Sequence, residues 1–345
     1  MIRKILSLIL AAVLFTGCAA PQDTISKKRY QASFLTLFDT VTSIVGYAES
    51  EEEFEKITDE IHDQLEAYHQ FFDIYHTYEG INNIKTINDQ AGIAPVEVHP
   101  VLISFLQECR EYYEVTGGAV NVAMGSVLSL WHEARNEGIN DPERAKLPDT
   151  EALKEAEKHC SFDTVIIDEE YSTVYLEDPQ QRLDVGAIAK GWSTQKVCEN
   201  LPDGFLVSVG GNVCASGAKP ENNGSWVVGI QDPEGGADDY LHTIYVNQES
   251  VVTSGDYQRY YTVEGKEYHH IIDPDTLMPA DYFASVTILS KDSGMADTMS
   301  TAVYNMPFDE GLDFVNGTSG VEAMWILKDG TIHYSEHFKT FFMEE

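Results

Sequence analysis

Basic side chains are scarce in this chain: 22 lysines and arginines stand against 57 aspartates and glutamates, for a formal net charge of −35 over 345 residues. A field of that sign repels polyanions, which excludes nucleic-acid binding through a basic face. Any phosphate-bearing ligand needs a metal ion or a local basic residue. Cysteine is equally sparse, with five in all. Cys109, Cys160, Cys198 and Cys214 form neither a paired CxxC site nor a dense disulfide scaffold, so buried, chemically quiet thiols are expected, with one disulfide open in an oxidising compartment. Tandem repeats and low-complexity segments are absent, which removes solenoids and repeat arrays.

What is present is a chain with 43% apolar residues, enough for one large domain or two intimate subdomains. Residues 1–18 run from basic "MIRK" through apolar "ILSLILAAVLF" to "TGC", the layout of a secretory leader and short for a bilayer span. Gly17 before Cys18 resembles the lipobox of bacterial lipoproteins, which implies lipidation of Cys18 and anchoring outside the cytoplasmic membrane. Residues 19–33 are polar and aperiodic, as in a tether, so folding is expected to begin near Phe34 and run to 345.

"FLTLFDTVTSIVGY" reads as a strand. Phe54, Ile57, Ile61, Leu65, Tyr68 and Phe72 recur at helical spacing and predict a helix from 51 to about 69. A second helix starts at Pro100 and stops at Gly117–Gly118, a third covers Val127 to Arg135, and Thr150 caps a short one ending near His159. "DTVIIDEEYSTVYLED" predicts a hairpin. Short apolar runs then follow to 290, "MADTMSTAVYNM" interrupts them as a helix, and a hairpin turning at Asp329–Gly330 closes the series. The class is α+β, with largely antiparallel sheets, flanking helices and no clean linker.

Four stretches carry residues suited to chemistry. In "LDVGAIAKGW", Gly186 and Gly191 let backbone approach a ligand, Lys190 suits a phosphate oxygen, and Asp184 can accept hydrogen bonds. The same pattern also suits an ordinary turn into a helix closed by an Asp184–Lys190 ion pair. In "GMADTMSTAVY", Asp297 and Thr301 share a helix face, a hard-oxygen pair of the kind Mg²⁺ takes; dipole and backbone roles would explain them equally. In "TSGDYQRYYTVEGKEYHHIIDP", Thr253, Ser254 and Asp256 end a strand, and a hairpin through Glu264–Gly265 returns "HHIIDP" beside them. His269 and His270 point to opposite sides, so at most one enters a given cleft, where it could act as a base. In "LVSVGGNV", Gly210 and Gly211 free their N–H groups at a strand end.

Together with "VAMGSVLSLW" and "TYEGINNIKTIN", these motifs in this order resemble the ApbE family of FAD:protein FMN transferases, from about Phe34 to about Tyr334. The resemblance implies an ApbE-like fold and transfer of FMN from FAD to a threonine or serine of an extracytoplasmic acceptor protein, with Mg²⁺ and release of AMP. Mg²⁺-dependent hydrolysis of FAD, or FAD binding by a lipoprotein without catalysis, are the alternatives. It further implies that Asp184 and Lys190 contact FAD, that the Ala187 carbonyl, Asp297 and Thr301 ligate the metal, and that His270 is the base. Tyr78 falls where an aromatic lies near the isoalloxazine, with Tyr75 close enough to compete, and Ile271 or Ile272 lines the flavin pocket. The chain departs from the commoner pattern in three places. Phe38-Asp39-Thr40 replaces Met-Gly-Thr, Asn121 replaces Asp, and Leu277 replaces the glycine of "DPxTG".

Overall fold

The structure, a computed structural model, describes residues 27–236, 239–257 and 259–342. The leader, Cys18 and the first part of the expected tether lie outside the described residues.

The tether ends earlier than expected. Residues 28–34 form strand β1 (Lys28–Phe34), which pairs antiparallel with β2 (Thr42–Ala48), because alternating Tyr30, Ala32 and Phe34 have a core to pack on. The single long strand expected here is broken at Leu37–Asp39 by a 3₁₀ turn in which Phe38 and Asp39 are left-handed, at φ 54° and 53°. Helix α1 (Glu51–Phe72) begins where Ser50 accepts the Glu53 N–H and three acids complement the dipole. It runs to Phe72, one turn past the expected end, because Phe72 packs in the core, tilted against Phe105 and edge-on to Trp192.

Helix α2 (Ile84–Asp89), not expected from the sequence, is capped by Asn83 and followed by β3 (Val96–Glu97). Then come α3 (Pro100–Val115), α4 (Gly125–Asn140) and α5 (Thr150–Glu157). The α5 cap is Asp149, not Thr150: its carboxylate accepts the N–H groups of Glu151 and Ala152. The expected hairpin is β4 (Val165–Asp168) and β5 (Thr173–Leu176).

Helix α6 (Ala189–Cys198) starts inside "LDVGAIAKGW". Strands β6 (Phe205–Val209) and β7 (Asn212–Ala215) turn at Gly210–Gly211, both with positive φ. After these follow β8 (Trp226–Gln231), β9 (Tyr240–Val246), β10 (Ser250–Gly255), β11 (Tyr260–Val263), β12 (Lys266–His269) and β13 (Phe283–Ser290). Helices α7 (Ser293–Tyr304) and α8 (Phe308–Gly317) precede the closing hairpin of β14 (Val321–Leu327) and β15 (Ile332–Tyr334).

Every pairing between these strands is antiparallel, and eight of them form one sheet in the order β1-β2-β6-β7-β10-β13-β14-β15. The class is therefore the mixed α/β, antiparallel one expected. On one face Ile44, Val207 and Val209 pack under α1, α3 and α6, while Val286 and Ile288 pack under α7. On the other face Tyr47, Val251 and Met324 meet the β8–β9 hairpin. A separate small core joins α4, α5 and the β11–β12 hairpin through Trp131, Leu153, Tyr261, Ile272 and Leu277. No described helix is long and apolar enough to cross a membrane.

Cys109, Cys198 and Cys214 are buried as expected, whereas Cys160 is only half-buried; all four thiols are free. Burial pushes the Cys109 thiol up and raises that of Cys160 to about 11, which keeps both protonated and quiet.

Candidate active site

A cleft of about 580 Å³ opens where α1, α4, α6, α7 and the β10–β11 region converge, a size within the roughly 300–1,000 Å³ of small-molecule and cofactor sites. Its floor is the crossing of α6 and α7. Gly191 sits at that crossing: a Cβ on it would lie 2.3 Å from the Ser293 carbonyl oxygen and 2.4 Å from Asp297 Cβ. Only a residue without a side chain lets the two helices come so close.

Close approach changes where one backbone hydrogen goes. In a regular first turn the Gly191 N–H would donate to the carbonyl of Ala187, four residues back. Here it donates to Asp297 Oδ2 at 2.8 Å, and among the described residues the Ala187 carbonyl receives no hydrogen bond. Asp297 thus frees the Ala187 oxygen. Its other oxygen, Oδ1, lies 3.8 Å from Lys190 Nζ. The expected alternative, an Asp184–Lys190 ion pair, is not the one formed.

Asp297 is 3% exposed. Desolvation raises its pKa, against the opposing pull of Lys190 and the Gly191 N–H. A buried carboxylate held this way gains from a cation beside it. Thr301, one turn further along α7, lines the same cleft, as does Ala187. These three offer hard oxygen donors from two segments, which fits a small divalent ion such as Mg²⁺.

Asp184 also lines the cleft. Its Oδ1 accepts the Gly186 N–H at 3.0 Å, and its Oδ2 lies 3.6 Å from His132 Nε2. His132 continues to Tyr75, whose Oη is 3.1 Å from His132 Nδ1. Desolvation, then the cations Arg135 and Arg259, lower the His132 pKa, with Asp184 opposing them. His132 thus lies between Asp184 and Tyr75 with one ring nitrogen toward each, and burial favours its neutral form.

His270 faces the cleft, whereas His269 is a structural residue: its Nε2 is 2.7 Å from the Ala280 carbonyl oxygen and its Nδ1 accepts the Ile271 N–H. Desolvation, followed by Arg259 and Lys190, pushes the His270 pKa down. The ring is exposed to water in the open cleft, so its desolvation becomes complete only when a ligand fills that space. A neutral imidazole there can accept a proton.

The remaining predicted residues divide. Phe38, Asn121, Gly210, Thr253, Ser254, Ile271 and Ile272 all line the cleft. Asn121 has both ends of its amide engaged, donating to the Cys160 carbonyl and accepting the Ala123 N–H. Thr253 and Ser254 use their hydroxyls on Thr287 and Ser300. Gly211 and Tyr78 are not among the lining residues. Gly210 packs on Thr40, within 2.7 Å of where a Cβ would sit, while Gly211 turns toward open space. Tyr78 instead donates its hydroxyl to Asp73 Oδ2 at 2.7 Å, and burial and that carboxylate raise its pKa to about 12. Tyr75 takes the place on the wall.

Sequence reasoning missed Asp73, His132, Arg135 and Arg259 at this site. One signal was available: Leu128, His132 and Arg135 lie one and two turns apart on α4, a mixed stripe that cannot belong to a purely apolar core.

The geometry matches a known family. Its ApbE family profile covers residues 38–325. The chain belongs to the ApbE family. It is 36% identical over 269 residues to the FAD:protein FMN transferase of Treponema pallidum, covering 73% of this chain and 72% of that one. The FAD:protein FMN transferase of Klebsiella pneumoniae is 30% identical over 73% of this chain and 77% of its own. Among solved structures, the ApbE protein of Thermotoga maritima aligns with a TM-score of 0.79 and 30% identity over 92% of this chain and 100% of that one.

Proposed function

We propose that this ApbE protein is an FAD:protein FMN transferase: it moves FMN from FAD to a threonine or serine hydroxyl of an acceptor protein and releases AMP. The observation that carries the reading is the α6–α7 crossing, where Asp297 diverts the Gly191 N–H and leaves the Ala187 carbonyl free at the floor of a nucleotide-sized cleft. A hydrolase or a metal-free binder has no feature of its own here that favours it.

Asp297, Thr301 and the Ala187 carbonyl would hold Mg²⁺, which supplies neutralisation of diphosphate charge. Lys190 orients a phosphate oxygen and offsets charge that develops on the leaving phosphate. His270, neutral in the cleft, accepts the proton of the attacking hydroxyl. Asp184 holds a sugar hydroxyl or ring N–H of the dinucleotide, Tyr75 and Ile271 enclose its flat end, and the walls exclude water that would otherwise compete. The atoms balance: the acceptor oxygen bonds to the FMN phosphorus, the P–O bond to AMP breaks, and AMP leaves with its phosphate.

The leader-like residues 1–18 and Gly17–Cys18 support placement on the outer face of the bacterial cytoplasmic membrane through a lipid on Cys18, with an extracytoplasmic acceptor. Incubating the protein with FAD, Mg²⁺ and a flavin-accepting domain should give a fluorescent band that survives denaturing electrophoresis. AMP release at a comparable rate without any acceptor would replace transfer by hydrolysis, and no product with several acceptors would remove the reading.

A further inference from the structure

The cleft holds two cations that nothing in the proposed chemistry uses. Arg135 lies on α4 and Arg259 just before β11, and both line the cleft. Neither makes an ion pair or hydrogen bond with any described residue, in a protein whose acids outnumber its bases 57 to 22. The charges on the cleft floor are partnered, whereas Asp39 on the rim is exposed and faces water. Lys190 faces Asp297, Asp184 is met by the Gly186 N–H and His132, and Asp73 accepts from Tyr75, His76 and Tyr78.

The two guanidinium groups act on one place. Both lower the pKa of His132 and of His270, and both act on Tyr75, so their fields converge between α4 and the β11–β12 hairpin, elements that pack directly on each other. A guanidinium presents a fixed fork of donors matched to carboxylate and phosphate oxygens, and two unpaired forks in one cleft repel each other until an anion joins them. In the repulsive field of a chain with net charge −35, such a pair attracts an anion without a metal and, unlike Lys190, without a carboxylate already facing it.

We propose that Arg135 and Arg259 form an oxyanion subsite of the cleft, separate from the Asp297–Thr301–Ala187 ligand set, that captures a substrate phosphate or carboxylate without metal. The inference rests on the flavin-transfer reading for its substrates. Two sources carry this chemistry: the phosphate of the flavin nucleotide, and a carboxylate of the acceptor next to its hydroxyl.

The experiment compares FMN with riboflavin, which lacks the phosphate, by flavin-fluorescence titration in EDTA, and measures acceptor KM under full turnover. The proteins are wild type, Arg135→Gln, Arg259→Gln and the double variant. Arg144→Gln, on the surface beside Asp141, controls for net charge. If the subsite takes the nucleotide, wild type and Arg144→Gln bind FMN at least about tenfold tighter than riboflavin, and the ratio falls toward one in the double variant. If it takes the acceptor, that ratio does not change, but acceptor KM rises at least about fivefold at unchanged kcat and loses its salt dependence. Unaltered flavin ratio and unaltered acceptor KM together overturn the proposal. Failure of wild type to bind FAD even with Mg²⁺ is a different result, and strikes the flavin-transfer reading instead.

Discussion

Asp297 does two jobs at the residue scale, and they can be separated. Asp297→Asn keeps an oxygen for the Gly191 N–H but loses the charge, so its melting temperature should stay within a few degrees of wild type while transfer falls at least about a hundredfold. Asp297→Ala removes the acceptor as well and costs about 1–3 kcal/mol, unless the Gly191 N–H returns to Ala187 and occupies the oxygen the metal needs. Mg²⁺ should raise the melting temperature of wild type and not of Asp297→Asn. A wild-type rate in Asp297→Asn would sink the metal assignment. Two other residues carry strain. Asp39 and Leu277 sit at φ 53° and 59°, and both occupy positions where the family resemblance expects glycine. The backbone has kept the left-handed shape and changed only the residue. Asp39→Gly, at an exposed position, should stabilise by about 1 kcal/mol. Leu277→Gly should not, because Leu277 is buried beside Trp131, and the roughly 1.5–3 kcal/mol of burial outweighs the relief. Thermal melts of the pair should move in opposite directions.

Among the elements, α6 is the one the site depends on and the one the sequence hid. Ala189, Gly191, Trp192, Ser193, Thr194, Val197 and Cys198 are buried on every side of it, so no polar stripe marks it as a helix. The opposite case is α1, whose one-sided stripe was plain because its outer face meets water. Helix α7 was legible as a helix, but its partner was not: nothing in "ADTMST" says that Asp297 meets Gly191. Gly191→Ala tests the crossing. Its methyl group would collide with the Ser293 carbonyl and Asp297 Cβ, so α6 and α7 must separate, at a cost of about 2–3 kcal/mol with near-complete loss of transfer. Gly211→Ala meets nothing within 4 Å and strains only its positive φ, so it should leave activity largely intact. Equal activity loss in both variants would count against the crossing as the decisive contact.

At the scale of the whole molecule, pH acts through its histidines. His132 and His269 both have pKa values lowered, chiefly by desolvation. Each therefore binds its proton more readily in the unfolded chain, whose histidines titrate near 6.5. Between the folded values and about 6.5 the unfolded state carries more protons, so stability rises with pH there and is lost as pH falls below about 6.5. Melting temperatures from pH 7.5 to 5 should fall on the acid side, and His132→Gln should flatten part of that slope. A slope unchanged by that substitution would show that His132 stays protonated or free in the fold.

Chain order and residue type determined the class, the family resemblance, the long amphipathic helices, the hairpins and the candidate oxygen donors, because each of those depends on neighbours within a few residues or on one surface meeting water. Residue type alone also placed His270 or His269 at the cleft without choosing between them. The family resemblance points to His270, and the tertiary structure supplies the physical reason: packing satisfies His269 with Ala280 and Ile271 while His270 faces open space. The tertiary structure also put Tyr75 on the wall in place of Tyr78, turned Gly211 away, and gathered Arg135 and Arg259 from distant segments. Such pairings across a hundred residues come from how helices cross and strands register, and a one-dimensional pattern carries no record of that distance.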